Sequence, residues 1–309
     1  MKKFRIEDTN IDLLLPKIDY FIKLIKDDTP FHFLKINHGF LDLFYHTYNK
    51  KVNNLIDLKT KIDELKFDSI ATELLDTLKC DSYPTGENIK YYNGTSINVY
   101  NGLINLTKTY TQKNTNKIKI GVSTGVGLDY TFGEYPKAHP IQISRKKIIQ
   151  ILLNKSTDYY HSGILKHYSI MNELPNLFTI LNELNFDVVF IGMDYFNKFK
   201  DIYSIKNFHH IKIPNRFAIE ELDSIVKSIK TIHKNKTIIF HSTGHILSCE
   251  IAKLLEDTNV FGFDVGRSFD WDVSDSIEDK RKNGKYDWIN ARWMKDHKKL
   301  YTNYIKSIR

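Results

Sequence analysis

The chain has 309 residues, 45 of them Lys or Arg and 37 Asp or Glu, for a formal net charge of +8 at pH 7. Its 41% hydrophobic and 13% aromatic content can build a sizeable core and excludes a disordered or low-complexity chain. No apolar run reaches the length of a membrane span, and the basic start Met1-Lys2-Lys3 has no apolar core behind it, so neither a transmembrane segment nor a signal peptide is expected.

Cys80 and Cys249 lie far apart in the chain, which is the cysteine usage of a reducing compartment, and a cytoplasmic location is expected. Excess basic charge suits polyanions: nucleic acid, an anionic membrane surface, or phosphate-bearing small molecules. The lysines are spread along the chain, however, and no signature interleaves them with aromatic residues, so nucleic acid is not the expected partner. The glycosylation sequons at Asn93, Asn105, Asn154 and Asn235 read as coincidental in an Asn-rich cytosolic chain.

In chain order, residues 10–27 place Leu13, Leu14, Ile18, Phe21, Ile22 and Ile25 at helical spacing, which predicts one amphipathic helix with Pro16 in its first turn. Thr29-Pro30 ends it. Residues 31–36 read as the first strand, with Asn37-His38-Gly39 as its exit turn and an aromatic-rich helix over 40–48. Helices over 53–65, 67–78 and 100–111, with a loop at 81–94, make 51–116 a helical insertion outside the sheet. Residues 117–122 form a strand that opens into Gly125-Val126-Gly127. That pair of glycines lacks the third one of a phosphate-cradling loop, so a plain tight turn is the preferred reading.

A long loop over 130–140 precedes a helix over 144–153, capped by Ser144, and another over 173–184. Strands follow at 187–192, 209–213, 237–240 and 259–263. Between them, Leu222, Ile225, Val226, Ile229 and Ile232 form the stripe of a helix laid on a sheet, and 246–257 is a second such helix. Strands alternating with helices predict an α/β fold: a Rossmann-like, mostly parallel sheet flanked by helices, with the helical insertion and a C-terminal helix. One domain is expected over 1–275, followed by a polar linker and a helix over 276–309 that carries Trp288, Trp293 and Tyr304.

Three places could carry chemistry. His38 and Asp42 are four residues apart and would share a helix face, as a base with its orienter or a ligand with its support; a backbone-bonded histidine and a solvated carboxylate are the plainer alternative. The turn His241-Ser242-Thr243-Gly244-His245 opens a helix, where free N–H groups and the dipole attract phosphate. There Ser242 or Thr243 serves as an N-cap, a phosphate contact, or both; no further ligand stands ready to complete a zinc site with His241 and His245. Asp264, Arg267 and Asp270 follow the last strand. Either acid could act as a base toward a hydroxyl and Arg267 could neutralise a diphosphate, against the alternative of a surface salt bridge. Trp271 could stack on a sugar or base, or sit in the core.

The order strand, Ser242-Thr243-Gly244 turn, helix, and strand ending in Asp264-x-Gly266-x-x-x-Asp270 resembles the C-terminal half of the GT-D-fold glycosyltransferases. The resemblance implies transfer of a sugar from a nucleotide-sugar donor to a glycan or glycoconjugate acceptor. It makes Asp264, Asp270, Asp42 and His38 the catalytic candidates. Lys35, Ser242, Thr243, Gly244, His245, Gly266 and Arg267 become the substrate-binding ones. In that family a basic residue and an acidic D-G-E triplet follow the first strand, and the carboxylates hold a divalent metal, Mn or Mg, on the donor diphosphate. Here Lys35 falls at the basic position, but His38-Gly39-Phe40 replaces the triplet and keeps only its glycine, so no metal ligand is assigned. The competing expectation is a binding protein of the same fold without catalysis. Parallel strands present their C-terminal ends on one edge, so Asp264 is expected opposite His38 across a single cleft.

Overall fold

A computed structural model describes residues 2–6, 9, 11–36, 38–48, 54–79, 97–111, 117–122, 140–153, 158–214, 218–233, 236–266 and 268–269. The strands are β1 (Lys2–Arg5), β2 (Asp12–Leu15), β3 (His32–Ile36), β4 (Ile118–Val122), β5 (Tyr159–His161), β6 (Asp187–Gly192), β7 (Phe208–Lys212), β8 (Thr237–His241) and β9 (Val260–Asp264). The helices are α1 (Ile18–Lys26), α2 (His38–Tyr48), α3 (Asn54–Asp63), α4 (Phe67–Lys79), α5 (Ile97–Thr111), α6 (Pro140–Leu152), α7 (Ile164–Ile170), α8 (Leu174–Glu183), α9 (Phe199–Ile202), α10 (Leu222–Ile232) and α11 (His245–Leu254).

Among the described residues all nine strands form one sheet, in the order β1-β2-β5-β4-β3-β9-β8-β6-β7. β1 pairs antiparallel with β2, and every other pairing is parallel. The expected α/β, mostly parallel architecture is the observed one. Its central strands read as continuous apolar runs because both faces are covered. On one face Leu34, Ile36, Ile120, Val189, Ile191 and Ile239 pack under α2, α4, α5, α6, α10 and α11. On the other, Phe33, Phe190, Phe240, Phe261 and Phe263 pack under α1, α7, α8 and the turns around α9. The aromatic rings there stack along the sheet, Phe190 on Phe240 at 5.1 Å and Phe240 on Phe263 at 5.6 Å. The helices of the 51–116 insertion cover the first face: Leu74, Leu103, Leu106 and Tyr110 share its core with Leu34 and Ile120.

Three expectations are corrected. Residues 10–27 are not one helix, because 12–15 are β2 and the helix begins only at Ile18. Pro16 disfavours helical angles at Leu15 and offers no N–H, so the chain stays extended up to it. Leu13 then joins one core and Leu14 the other, which a strand between two layers requires. β5 and α7 were not expected at all. Ser144 is no cap, since α6 already begins at Pro140 and Ser144 lies a turn inside it. The glycines at 125 and 127, the expected loop up to residue 139 and the helix expected beyond 288 lie outside the described residues.

The layout opens a crevice between β3 and β9. β3 pairs with β4 along its whole length to Ile36, but with β9 only at His32–Gly262 and Phe33–Phe263. Beyond those positions the two strands feed opposite faces. α2 runs from β3 into the first core, while Val265 and Phe269 after β9 enter the second. Neighbouring parallel strands whose continuations part in this way form the crevice where open α/β sheets bind ligands.

Candidate functional site

Lys35 and Asp264 face this crevice from β3 and β9. The Lys35 ammonium is buried and donates to the Val265 carbonyl at 2.7 Å and to the Ser268 hydroxyl at 2.8 Å. A lysine in the middle of a sheet is tolerable because these two acceptors and the nearby Asp264 charge replace its water. Lys35 thereby holds the segment after β9 in place. Gly266 makes the tight turn possible: its φ of +48 belongs to the left-handed region, and a Cβ there would stand 3.5 Å from Lys35 Nζ.

Asp264 retains 4% exposure. Its Oδ1 accepts from the Gly266 N–H at 3.0 Å, and the Lys35 backbone N–H and the Ser248 hydroxyl nearby favour its ionised form. Burial nevertheless dominates and lifts its pKa from 3.8 to about 6, against the opposing pull of Lys35 and of these donors. A carboxyl poised there can exchange a proton near neutral pH.

The β8 turn lies alongside. His241 and Asp264 are paired across β8 and β9, and the Val265 N–H donates to the His241 carbonyl at 2.9 Å. Gly244, at φ 79, is the exposed N-cap of α11, and no side chain caps the helix. Neither Ser242 nor Thr243 is therefore the N-cap. The Ser242 N–H bonds back to the Ile191 carbonyl at 2.9 Å, and the Thr243 hydroxyl turns inward to Ser248 Oγ at 3.0 Å. The ring of His245 lies 6.3 Å from Phe40 in α2, so the exits of β3 and β8 also meet.

Behind the turn, His241 is fully buried. Its Nδ1 faces Ser248 Oγ at 3.1 Å, while Nε2 has no hydrogen-bond partner. Burial first, then the charges of His32 and Lys35, push its pKa down to about 3 and keep the ring neutral. His32, one level down on β3, is likewise buried, with neither ring nitrogen in a hydrogen bond of normal geometry, and its pKa falls to about 4 by burial and the Lys117 charge. Its ring occupies the space over Gly262, where a Cβ would come within 2.4 Å of Nδ1.

Other predicted residues are engaged elsewhere. Asp42 receives a two-pronged guanidinium from buried Arg145 of α6, with Nε on Oδ1 and Nη2 on Oδ2 both at 2.7 Å. Phe40 is a core residue, its ring 4.7 Å from Phe44 and 5.2 Å from Tyr110. His38 opens α2, and its side chain lies outside the described residues, as do Arg267, Asp270 and Trp271. The described residues do not fit the divalent metal that the resemblance implies. Phenylalanine offers no donor, the Asp42 carboxylate is taken by Arg145, and among the described residues no three His, Cys, Asp or Glu side chains are grouped to hold a cation. Sequence reasoning missed Ser248, Ser268 and His32. The signals were small: a serine on the buried face of α11 and a histidine in an apolar strand.

No family model and no curated protein matches the chain. Among solved structures it is similar to one described as a selenomethionine-substituted domain of unknown function 1792 (DUF1792), at 16% identity, covering 85% of this chain and 86% of that one with a TM-score of 0.39. At that identity and score the likeness is too loose to assign an activity.

Proposed function

We propose that the protein is a glycosyltransferase that moves a sugar from a nucleotide-sugar donor to a glycan or glycoconjugate hydroxyl. The observation that carries this reading is the crevice between β3 and β9, where a buried carboxyl with a pKa of about 6 stands beside the uncapped N-terminus of α11. The donor diphosphate would lie against the N-terminus of α11 at Gly244, whose helix dipole opposes its charge without a side-chain cation. Asp264 would take the proton of the acceptor hydroxyl as that oxygen bonds to the anomeric carbon. The bond from that carbon to the diphosphate oxygen breaks, and the nucleoside diphosphate leaves. Arg267 and Asp270, three and six residues beyond Asp264, are proposed to meet the leaving group and the sugar. Lys35 is proposed to position this segment through Val265 and Ser268.

A second reading, a nucleotide-sugar or glycan binder without catalysis, is favoured by the near-complete burial of Asp264 and by Phe40 standing where the resembled family has a carboxylate. Isothermal titration against a panel of nucleotide sugars, with and without manganese or chelator, tests both. Binding that survives chelator, together with release of nucleoside diphosphate on adding acceptor glycans, is the expected result. Binding without release selects the second reading. No binding of any nucleotide sugar or nucleoside diphosphate defeats both.

A further inference from the structure

Among the described residues the sheet ends at β7. β7 joins β6 in an unbroken parallel register from Val188–Phe208 to Gly192–Lys212, with no bulge and no proline. Main-chain groups of a strand point alternately to its two sides, and the bonds at either end of β7 fix which side each takes. The Val188 N–H donates to the Asn207 carbonyl at 2.8 Å, and the Ile213 N–H to the Gly192 carbonyl at 3.2 Å. His209 and Ile211 therefore spend their N–H and C=O groups on β6. Those of Phe208, His210 and Lys212 point away from it, where the described residues supply no further strand. An open edge of this kind is a template for another strand, and sheets commonly blunt it with charge, proline or a bulge. The opposite edge is protected in that way, since three of the four residues of β1 are Lys or Arg. On β7 the only Lys or Arg is Lys212, and Asp194 holds its ammonium at 3.0 Å.

We propose that β7 pairs antiparallel with β7 of a second copy, giving a twofold dimer whose sheet runs on through both chains. The strand sequence Phe-His-His-Ile-Lys is self-complementary in this register. With His210 on the axis, Phe208 falls opposite Lys212 of the second copy, and His209 falls opposite its Ile211. The outward groups of 208, 210 and 212 then meet those of the second copy's 212, 210 and 208, and each gains a partner. No like charges are opposed in this register at neutral pH, because burial lowers the His210 pKa and keeps the two rings on the axis uncharged. Asp194 and Asp187 sit against Lys212 and His209 within one chain, so the edge carries no excess charge to recruit an acidic or basic partner instead. The open flanks of Phe208 and Ile211, both half-buried in the single chain, are covered in the same step. The contact is independent of the sugar-transfer reading, since β6 and β8 separate it from the crevice beside β9.

The test is sedimentation of the full chain over a series of concentrations, with amide hydrogen exchange read by NMR on the same samples. The expected result is a species of twice the chain mass that dissociates on dilution. The N–H groups of Phe208, His210 and Lys212 should exchange slowly in the dimer and rapidly in the monomer, while those of His209 and Ile211 stay slow in both. His210→Pro removes one outward N–H without touching the bonds to β6, and it should sediment as a monomer. His210→Glu and His210→Lys each set like charges across the axis, so each should be monomeric alone and dimeric when the two are mixed in equal amounts. That rescue is peculiar to a residue that faces its own copy, and it decides the matter even if the proline variant fails to fold. A wild type of single-chain mass at every concentration overturns the proposal, whether the outward N–H groups exchange fast or are shielded by another part of the chain. A dimer that His210→Pro and both charged variants leave intact also overturns it, because the contact would then lie elsewhere.

Discussion

Replacing Asp264 with Asn is expected to make the protein more stable and less active, and the two effects have separate magnitudes. In the fold the carboxyl titrates at about 6 against an ordinary 3.8. Because the folded value is the higher one, the unfolded chain releases its proton first as pH rises. Stability is therefore lost between 3.8 and about 6, and the full loss stands above that. At about 1.4 kcal/mol per pH unit, the ionised carboxylate costs the fold about 3 kcal/mol at neutral pH. Asparagine stays neutral and escapes that penalty. The unfolding free energy of the variant minus that of the wild type should grow by about 3 kcal/mol between pH 4 and 7.5. Constant terms, such as the new amide facing the N–H of Gly266, displace this curve without tilting it. The titrations of His32 and His241 belong to both proteins and cancel.

Urea unfolding followed by tryptophan fluorescence and circular dichroism at four pH values measures the curve. A difference that is flat with pH would show that Asp264 titrates normally. A difference that falls with pH would show that Lys35 overcomes burial and holds the carboxyl low. Sugar transfer by the same variant should drop by about 10²–10⁴, the usual share of general base catalysis, with donor affinity little changed. Unaltered transfer in the folded variant would make the carboxyl structural.

Lys35→Met leaves Asp264 without its neighbouring cation and removes the donor to Val265 and Ser268, so a loss of about 3–5 kcal/mol is expected in urea unfolding at pH 7. Gly262→Ala puts a Cβ within 2.4 Å of His32 Nδ1 and should cost about 1–3 kcal/mol. The same change in a His32→Ala background should cost much less, and an equal cost in both backgrounds would locate the strain elsewhere. Acid should weaken the fold: His32 and His241 stay neutral down to about 4 and 3, whereas in the unfolded chain they protonate near 6.5. Each then withdraws about 3 kcal/mol by pH 4 and the protonation of Asp264 returns about as much, so a net loss of about 3 kcal/mol from pH 7 to 4 is expected, largely abolished in His32→Gln.

Much of the sheet was legible because its central strands are short apolar runs bounded by turns. The runs at 187–192, 237–240 and 259–263 needed no partner to be recognised, and the observed strands agree to within a residue. β2 was not legible as a strand. Leu13-Leu14-Leu15 satisfies a helical stripe as readily as a strand buried on both faces, and only Pro16 argues between them. β5 is three residues long, too short for any period to show. The site follows the same division. Asp264 and the turn at Gly244 announce themselves as polar residues at the ends of apolar strands. Lys35 stands out as the basic residue of β3, but its tie to the segment after β9 does not, because its acceptor Val265 lies 230 residues away in sequence. Ser248 looks like a neutral position on a helix. Its weight comes from the pairing of His241 with Asp264, which no local pattern encodes.

The distribution of polar groups in the sheet argues for the site independently of any likeness to other proteins. β6 and β8 are lined by Val188, Val189, Phe190, Ile191, Ile238, Ile239 and Phe240, all fully buried, and nothing in the architecture demands a different chemistry one strand away. Yet His32, Lys35, His241, Ser248, Asp264 and Ser268 are buried together around β3, the end of β8, β9 and α11. Folding gains little from such residues. A buried polar group is at best compensated by its hydrogen bonds, and here three imidazole nitrogens have none of normal geometry. Apolar residues of similar size would fill the same space with less loss, as the neighbouring strands do. Where a sequence gives up stability against its own pattern, the usual reason is chemistry at that place. The departures gather beside the place where β3 and β9 part after their short pairing, and where Asp264 ends its strand.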